Sequence, residues 1–141
     1  MPLHVEIIAA EQPILTIDVE VVVATTVSGQ ISVLPQHEPL LTLLAPGELR
    51  LGRGANEMFL ALAGGYLEVR DDHVTILADA AERAEDIDVA RAEGSRERAT
   101  ARLREARSNV DVVRASSALA RAVSRLKAAD RYRSRGVTRS R

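Results

Sequence analysis

The chain has 141 residues, 46% of them hydrophobic, with Phe59, Tyr66 and Tyr132 as its aromatics and no Cys. That length suits one domain or one domain with an appendage. The composition requires an aliphatic core and excludes disulfides and Cys-based metal sites, consistent with a reducing compartment. A formal net charge of −1 conceals a polarity: residues 1–78 carry 10 Asp/Glu against 3 Lys/Arg, and residues 79–141 carry 10 against 16. The basic half faces either an anionic partner or only solvent. The opening Met1–Glu6 lacks a basic and then apolar leader pattern. No apolar run approaches the ~18 residues of a membrane span, so the expectation is a soluble, cytoplasmic chain.

In chain order, Leu3–Ala9 is the first strand-like run. Ile14–Ile17 and Val19–Thr26 follow, rich in β-branched residues. Ser28-Gly29 turns the chain into Gln30–Leu34. The loop Pro35-Gln36-His37-Glu38-Pro39 cannot lie in central sheet, because its two prolines lack a ladder donor. Leu40–Leu44, Glu48–Gly52, Glu57–Ala63, Tyr66–Arg70 and His73–Ala78 complete the set. Turns are expected at Pro46-Gly47, Gly54-Asn56, Gly64-Gly65 and Asp71-Asp72. Many short strands with frequent turn signals predict a β-sandwich or barrel.

Asp79–Ala92 is where the chain changes character. Beyond it there is no Pro, and Ala and Arg dominate. It reads as the hinge between a β domain and a helical arm. The first helix is expected from about Asp88, a carboxylate suited to an N-cap, to Ala106, with Val89, Ala92, Ala99, Leu103 and Ala106 inward and Arg96 interrupting. Ser108-Asn109 breaks it. Asp111 is the expected cap of a second helix running to about Arg133, with the stripe Val112, Ala115, Leu119, Ala122, Leu126, Ala129. That 3-4 rhythm predicts an antiparallel pair. A seam of Ala buries little apolar area, while high helix propensity keeps each rod helical. From Ser134 the basic tail lacks periodicity and is expected to be disordered.

The sequence carries no Walker-type loop and no Gly-x-Ser-x-Gly, and its three His do not cluster. No catalytic residue and no metal site are assigned. Asp79, Glu82, Glu85, Asp86 and Asp88 read as surface or capping groups. The arginines are more informative. Arg91 and Arg98 share one helix face, and Arg121 and Arg125 another. An antiparallel turn near Asn109 sets Arg98 opposite Ala120–Arg121 and Arg91 opposite Arg125–Lys127. Four guanidiniums then converge beside Glu82 and Asp88, and the planar fork of Arg suits phosphate. The absence of interleaved aromatics and the acidic first half argue against nucleic acid.

Several of these segments, in one order, resemble the epsilon subunit of the rotary proton-translocating ATP synthase. They are Ser28-Gly29, Pro35–Leu41, Pro46–Leu49, Gly64–Val69, Val74–Ala78 and Ala81–Asp88, and the resemblance covers about residues 3–133. It implies an α+β chain: an N-terminal ten-stranded β-sandwich, residues 1–84, followed by a C-terminal antiparallel two-helix hairpin, residues 85–133, with the tail at 134–141. It implies a noncatalytic central-stalk subunit bound to the gamma subunit and the c-ring of the membrane rotor, at the cytoplasmic face of a bacterial plasma membrane. The arm would meet the alpha and beta subunits of the catalytic head when extended and inhibit ATP hydrolysis. Ile87-Asp88-Val89-Ala90-Arg91-Ala92 fits the Ile/Leu-Asp-x-x-Arg-Ala motif through which some members bind ATP as a regulatory ligand rather than a required cofactor. Glu82, Arg98, Arg121 and Arg125 match the accompanying residues, and Gln30 and His37 match the rotor-ring contact. Ser32 departs from the family's usual Gly, and the tail is longer than typical. A structural bearing that binds no nucleotide is the alternative within the family.

Overall fold

The computed structural model describes residues 1–139, with side chains to Ser134. Ten strands come first: β1 Leu3–Ala9, β2 Gln12–Val19, β3 Val22–Thr26, β4 Gly29–Val33, β5 Leu40–Leu44, β6 Gly47–Leu51, β7 Met58–Leu62, β8 Gly65–Arg70, β9 His73–Ala78 and β10 Ala81–Arg83. Helices α1 Val89–Glu105 and α2 Asn109–Arg139 follow. β10 lies inside the stretch read from sequence as hinge. Its three residues carry no alternation of their own and pair with β7 as Ala81↔Leu62, Glu82↔Ala61 and Arg83↔Leu60.

The strands run in the order β10-β7-β6-β3-β5-β8-β9-β1-β2, with β4 on β3. β3 meets β5 through one pair, Thr26↔Leu44. The path therefore folds there into two five-stranded layers, a sandwich rather than a uniformly closed barrel. β1 and β9 are parallel, and the other pairs are antiparallel. Pro13 is tolerated because β2 ends the order, and the register shifts between Ile7 and Ile8, opposite it. Both layers feed one aliphatic core, in which Leu3, Ile7, Leu49, Leu51, Leu60, Leu67 and Ile76 are fully buried.

β7 departs from strand alternation for a reason. Its Leu60 and Leu62 enter the sandwich core, while Phe59 and Ala61 join a second cluster with Ala84, Ile87, Ala128 and Ala129. One face covers the core and the other receives α2, so a continuous apolar run is required. α2 packs on β6 and β7, and α1 packs on α2. Most of the expected seam is present, with Ala92, Ala99, Ala115 and Ala122 buried; Val112, expected in the stripe, is instead 40% exposed, at the start of α2 where α1 has already ended, and Ala129 is buried in the cluster with β7.

Asp88 caps α1, its Oδ1 accepting from the Arg91 N–H at 3.1 Å. The cap of α2 is Ser108, not Asp111: Ser108 Oγ accepts from the Asp111 N–H at 3.1 Å. An N-cap side chain reaches the amide two or three residues onward, so Asp111 sits one turn too late to cap and instead complements the positive end of the helix. The backbone of residues 134–139, expected as unstructured tail, continues α2. No Pro follows residue 46, so nothing blocks propagation from the docked helix, even through the poor helix formers Gly136, Val137 and Thr138. Residues 140–141, the end of that tail, lie outside the described residues.

Candidate functional site

A cavity of about 530 Å³ opens between the hairpin and the edge of the sandwich. Its floor is Ala61 and Leu62 from β7, Ala63 just after it, and Ala80-Ala81 at β10; its walls are Ser95, Arg98, Ala99 and Arg102 from α1 and Ala118, Arg121, Ala122 and Arg125 from α2. Each helix contributes residues at spacings of 3, 1 and 3, one face over two turns. Alanine at the closest positions leaves the space open, and arginine at the flanking ones supplies charge. Four guanidiniums stand against one carboxylate, Glu82, so the cavity suits an anion.

Arg125 and Glu82 form a two-point pair, Nε to Oε2 at 2.8 Å and an Nη to Oε1 at 3.2 Å, half-buried. Arg98 donates to Ser95 Oγ at 3.1 Å. Arg98 and Arg121 are exposed at the cavity wall.

Of the residues expected at the site, Glu82, Arg98, Arg121 and Arg125 meet at this cavity. Ile87, Asp88, Arg91 and Ala92 lie elsewhere. Ile87 is buried in the cluster beneath α2, Asp88 caps α1, Ala92 is buried in the seam, and Arg91 is exposed in the first turn of α1. Arg91 lies two turns, about 10 Å, from Arg98 along the helix. Ser95 and Arg102 were not singled out from sequence. Their signal was the spacing Ser95–Arg98–Arg102, one face of α1. Gln30 is exposed at the start of β4, and His37 follows the far end of that strand, where its Nδ1 lies 2.7 Å from the Glu38 carbonyl oxygen.

A second ion pair holds α2 beyond the cavity: Arg131 Nε lies 2.7 Å from Glu48 Oε2. Glu48 and Glu82 both stand beside Ala61, in the register Glu48↔Ala61↔Glu82 across β6, β7 and β10. Two inter-strand steps span about 9.6 Å. The six residues from Arg125 to Arg131 rise about 9 Å. Two carboxylates in one row thus match two arginines on a helix laid across the strands.

On the opposite layer an apolar row faces solvent. Leu43, Tyr66 and Leu77 pair in register across β5, β8 and β9 and are 47%, 52% and 49% exposed. Among the described residues no helix is long and apolar enough to cross a membrane, and no group of three or more His, Asp or Glu could hold a metal ion.

The described residues thus form a two-layer β-sandwich carrying a docked helical hairpin, with an arginine-walled cavity at their junction. Residues 2–84 match the family ATP synthase, Delta/Epsilon chain, beta-sandwich domain, and residues 85–130 match ATP synthase, Delta/Epsilon chain, long alpha-helix domain. The chain is 46% identical over 108 residues to the ATP synthase epsilon chain of Herpetosiphon aurantiacus, covering 77% of this chain and 79% of that one. It is 50% identical over 101 residues to that of Anoxybacillus flavithermus, covering 72% and 75%. The chain belongs to the ATP synthase epsilon chain family. Its fold is similar to a chain in the Euglena gracilis mitochondrial ATP synthase OSCP/F1/c-ring structure, with TM-score 0.75, 24% identity and coverage of 84% and 76%. It is also similar to one in the Tetrahymena thermophila mitochondrial ATP synthase central stalk/c-ring structure, with TM-score 0.67, 15% identity and coverage of 92% and 97%.

Proposed function

We propose that this chain is a noncatalytic subunit of the central stalk, peripheral to the cytoplasmic face of the membrane, whose docked hairpin binds ATP and whose released hairpin inhibits ATP hydrolysis. The cavity carries this reading: about 530 Å³ walled by Arg98, Arg102, Arg121 and Arg125, in a chain of the epsilon family. That volume falls in the range of small-molecule sites. The guanidiniums would take the phosphates, and the alanines of β7 and β10 leave room for a base.

The sandwich supplies the other contacts. The exposed row Leu43–Tyr66–Leu77 suits the gamma subunit, since an apolar row in register on one sheet face is the kind of surface a partner covers. Gln30 and His37 are the proposed contacts to the c-ring. In the extended state the basic helices would meet acidic segments of the alpha and beta subunits. ATP stabilises whichever arm state binds it by RT ln(1 + [L]/Kd), about 1.4 kcal/mol at roughly tenfold excess. Against an alanine seam that is enough to shift the population of docked arms.

A second reading, a bearing that binds no nucleotide, draws on two observations. Arg125 is already engaged by Glu82, and Asp88 and Arg91 stand outside the cavity. Calorimetric titration of the full chain with ATP and ADP decides between them. Arg125→Ala should weaken ATP binding about 10–100-fold, the loss of one good charge-assisted contact. Unchanged affinity in that variant removes Arg125 from the site, and no heat of binding in the parent chain favours the bearing.

A further inference from the structure

The loop Pro35–Pro39 is too short to be held by a core of its own, yet its conformation is specific. Gln36 has φ +67, a left-handed backbone that a non-glycine side chain adopts only at a cost. What holds it comes from far along the chain. The Gln36 N–H donates to Asp72 Oδ1 at 2.7 Å. Asp72 sits in the two-residue turn between β8 and β9, where Asp71 and Asp72 both have positive φ and Arg70 pairs with His73. Asp tolerates that region better than most residues. The carbonyl of Asp72 in turn accepts the His4 N–H at 2.8 Å, at the start of β1. One residue therefore ties three distant segments at one corner of the sandwich: the entry to β1, the β8–β9 turn and the proline-bounded loop.

We infer that Asp72 is the positioning residue of the Pro35–Pro39 loop, its carboxylate fixing Gln36 in the left-handed conformation that presents His37. The functional consequence rests on the reading of His37 as a rotor-ring contact, while the structural part stands without it. A loop fixed before association loses less conformational freedom on binding, so the bond to Asp72 contributes to affinity without touching the partner.

The test uses the full chain with three substitutions at one position. Asp72→Gly removes the carboxylate and accepts the positive φ without strain, so the sandwich should fold. Asp72→Asn keeps an acceptor oxygen and tolerates the turn. Asp72→Ala adds backbone strain to the loss. Amide exchange at Gln36 should be at least about tenfold faster in Asp72→Gly than in the parent, as expected for a lost bond to a charged acceptor, and should be largely restored in Asp72→Asn. Parent-like Gln36 protection in a folded Asp72→Gly overturns the inference. Binding of the same variants to the assembled rotor separates the two parts. A loosened loop with unchanged rotor affinity keeps Asp72 as the positioning residue and rejects His37 as a ring contact, whereas weaker binding restored by Asp72→Asn supports both.

Discussion

The sandwich and the arm solve the same problem, burial of aliphatic surface without aromatics, in opposite ways. The sandwich closes leucine, isoleucine and valine from nine of its ten strands into a core with many fully buried side chains. The arm buries alanines along its seam and rests on the sandwich through one small cluster and two Glu–Arg pairs. Large side chains interlocked from nine strands resist local opening, because any movement creates a void. Alanines leave little behind when they separate. The difference assigns rigidity to one half and easier separation to the other, which the proposed regulatory arm would require.

The comparison is broken most forcefully by the same substitution in each half. Gly65 has φ +128, and a Cβ there would collide with the Leu77 carbonyl oxygen and the Ala78 Cα, backbone atoms of the paired strand β9. Gly65→Ala should abolish the folded sandwich or part β8 from β9, detected as loss of the cooperative thermal transition or of exchange protection along that pair. Gly94 lies inside α1, where a Cβ would meet only the Arg98 guanidinium at 3.2 Å, the far end of a flexible side chain. Gly94→Ala should therefore stabilise α1 by about 1 kcal/mol through helix propensity. A destabilising Gly94→Ala would mean that α1 is constrained far more tightly than its seam suggests.

Leucine truncation sharpens the same contrast. Leu49 is fully buried in the sandwich, and Leu119 is half-buried in the seam. Leu49→Ala should cost about 2–5 kcal/mol by denaturant unfolding. Leu119→Ala should cost roughly 1 kcal/mol, since less area leaves water, and should alter exchange in the helices rather than in the strands. Equal costs would show the arm to be as tightly integrated as the core.

How much of this was readable in advance follows from range. β1, β5 and β9 lie where alternation and turn residues placed them, and α1 where its Asp88 cap and alanine stripe placed it. Those signals are local. β10 was not legible, because three residues of Ala-Glu-Arg become a strand only by lying on β7. The cavity was half legible. Helical spacing plus an antiparallel turn brought Arg98, Arg121 and Arg125 together, but the position of α2 across the sheet was not encoded in either helix. Glu48 had no signal at all. Its partner Arg131 is distant in sequence, and their meeting depends on the match between strand spacing and helical rise.

That match gives the smallest and most specific prediction. If Glu48–Arg131 and Glu82–Arg125 are two ends of one clamp, the first should hold the arm independently of whatever occupies the cavity. Glu48 is 18% exposed and Arg131 51%, so the pair is heavily screened and worth roughly 0.2–1 kcal/mol. Glu48→Gln should raise the undocked fraction of the arm by that amount, about 1.4–5-fold, read by energy transfer between a probe on β2 and one at the α1–α2 turn. Rising salt should erase the difference. Arg131→Gln should give the same shift, and the double variant should do no more than either single one, because both remove the same interaction. Full additivity would mean that each residue acts through some other contact, and the row Glu48–Ala61–Glu82 would then be a coincidence of register rather than a clamp. Combining Glu48→Gln with Arg125→Ala separates the two ends. The effects should add, since the pairs share no atoms and each contributes to the same docking free energy.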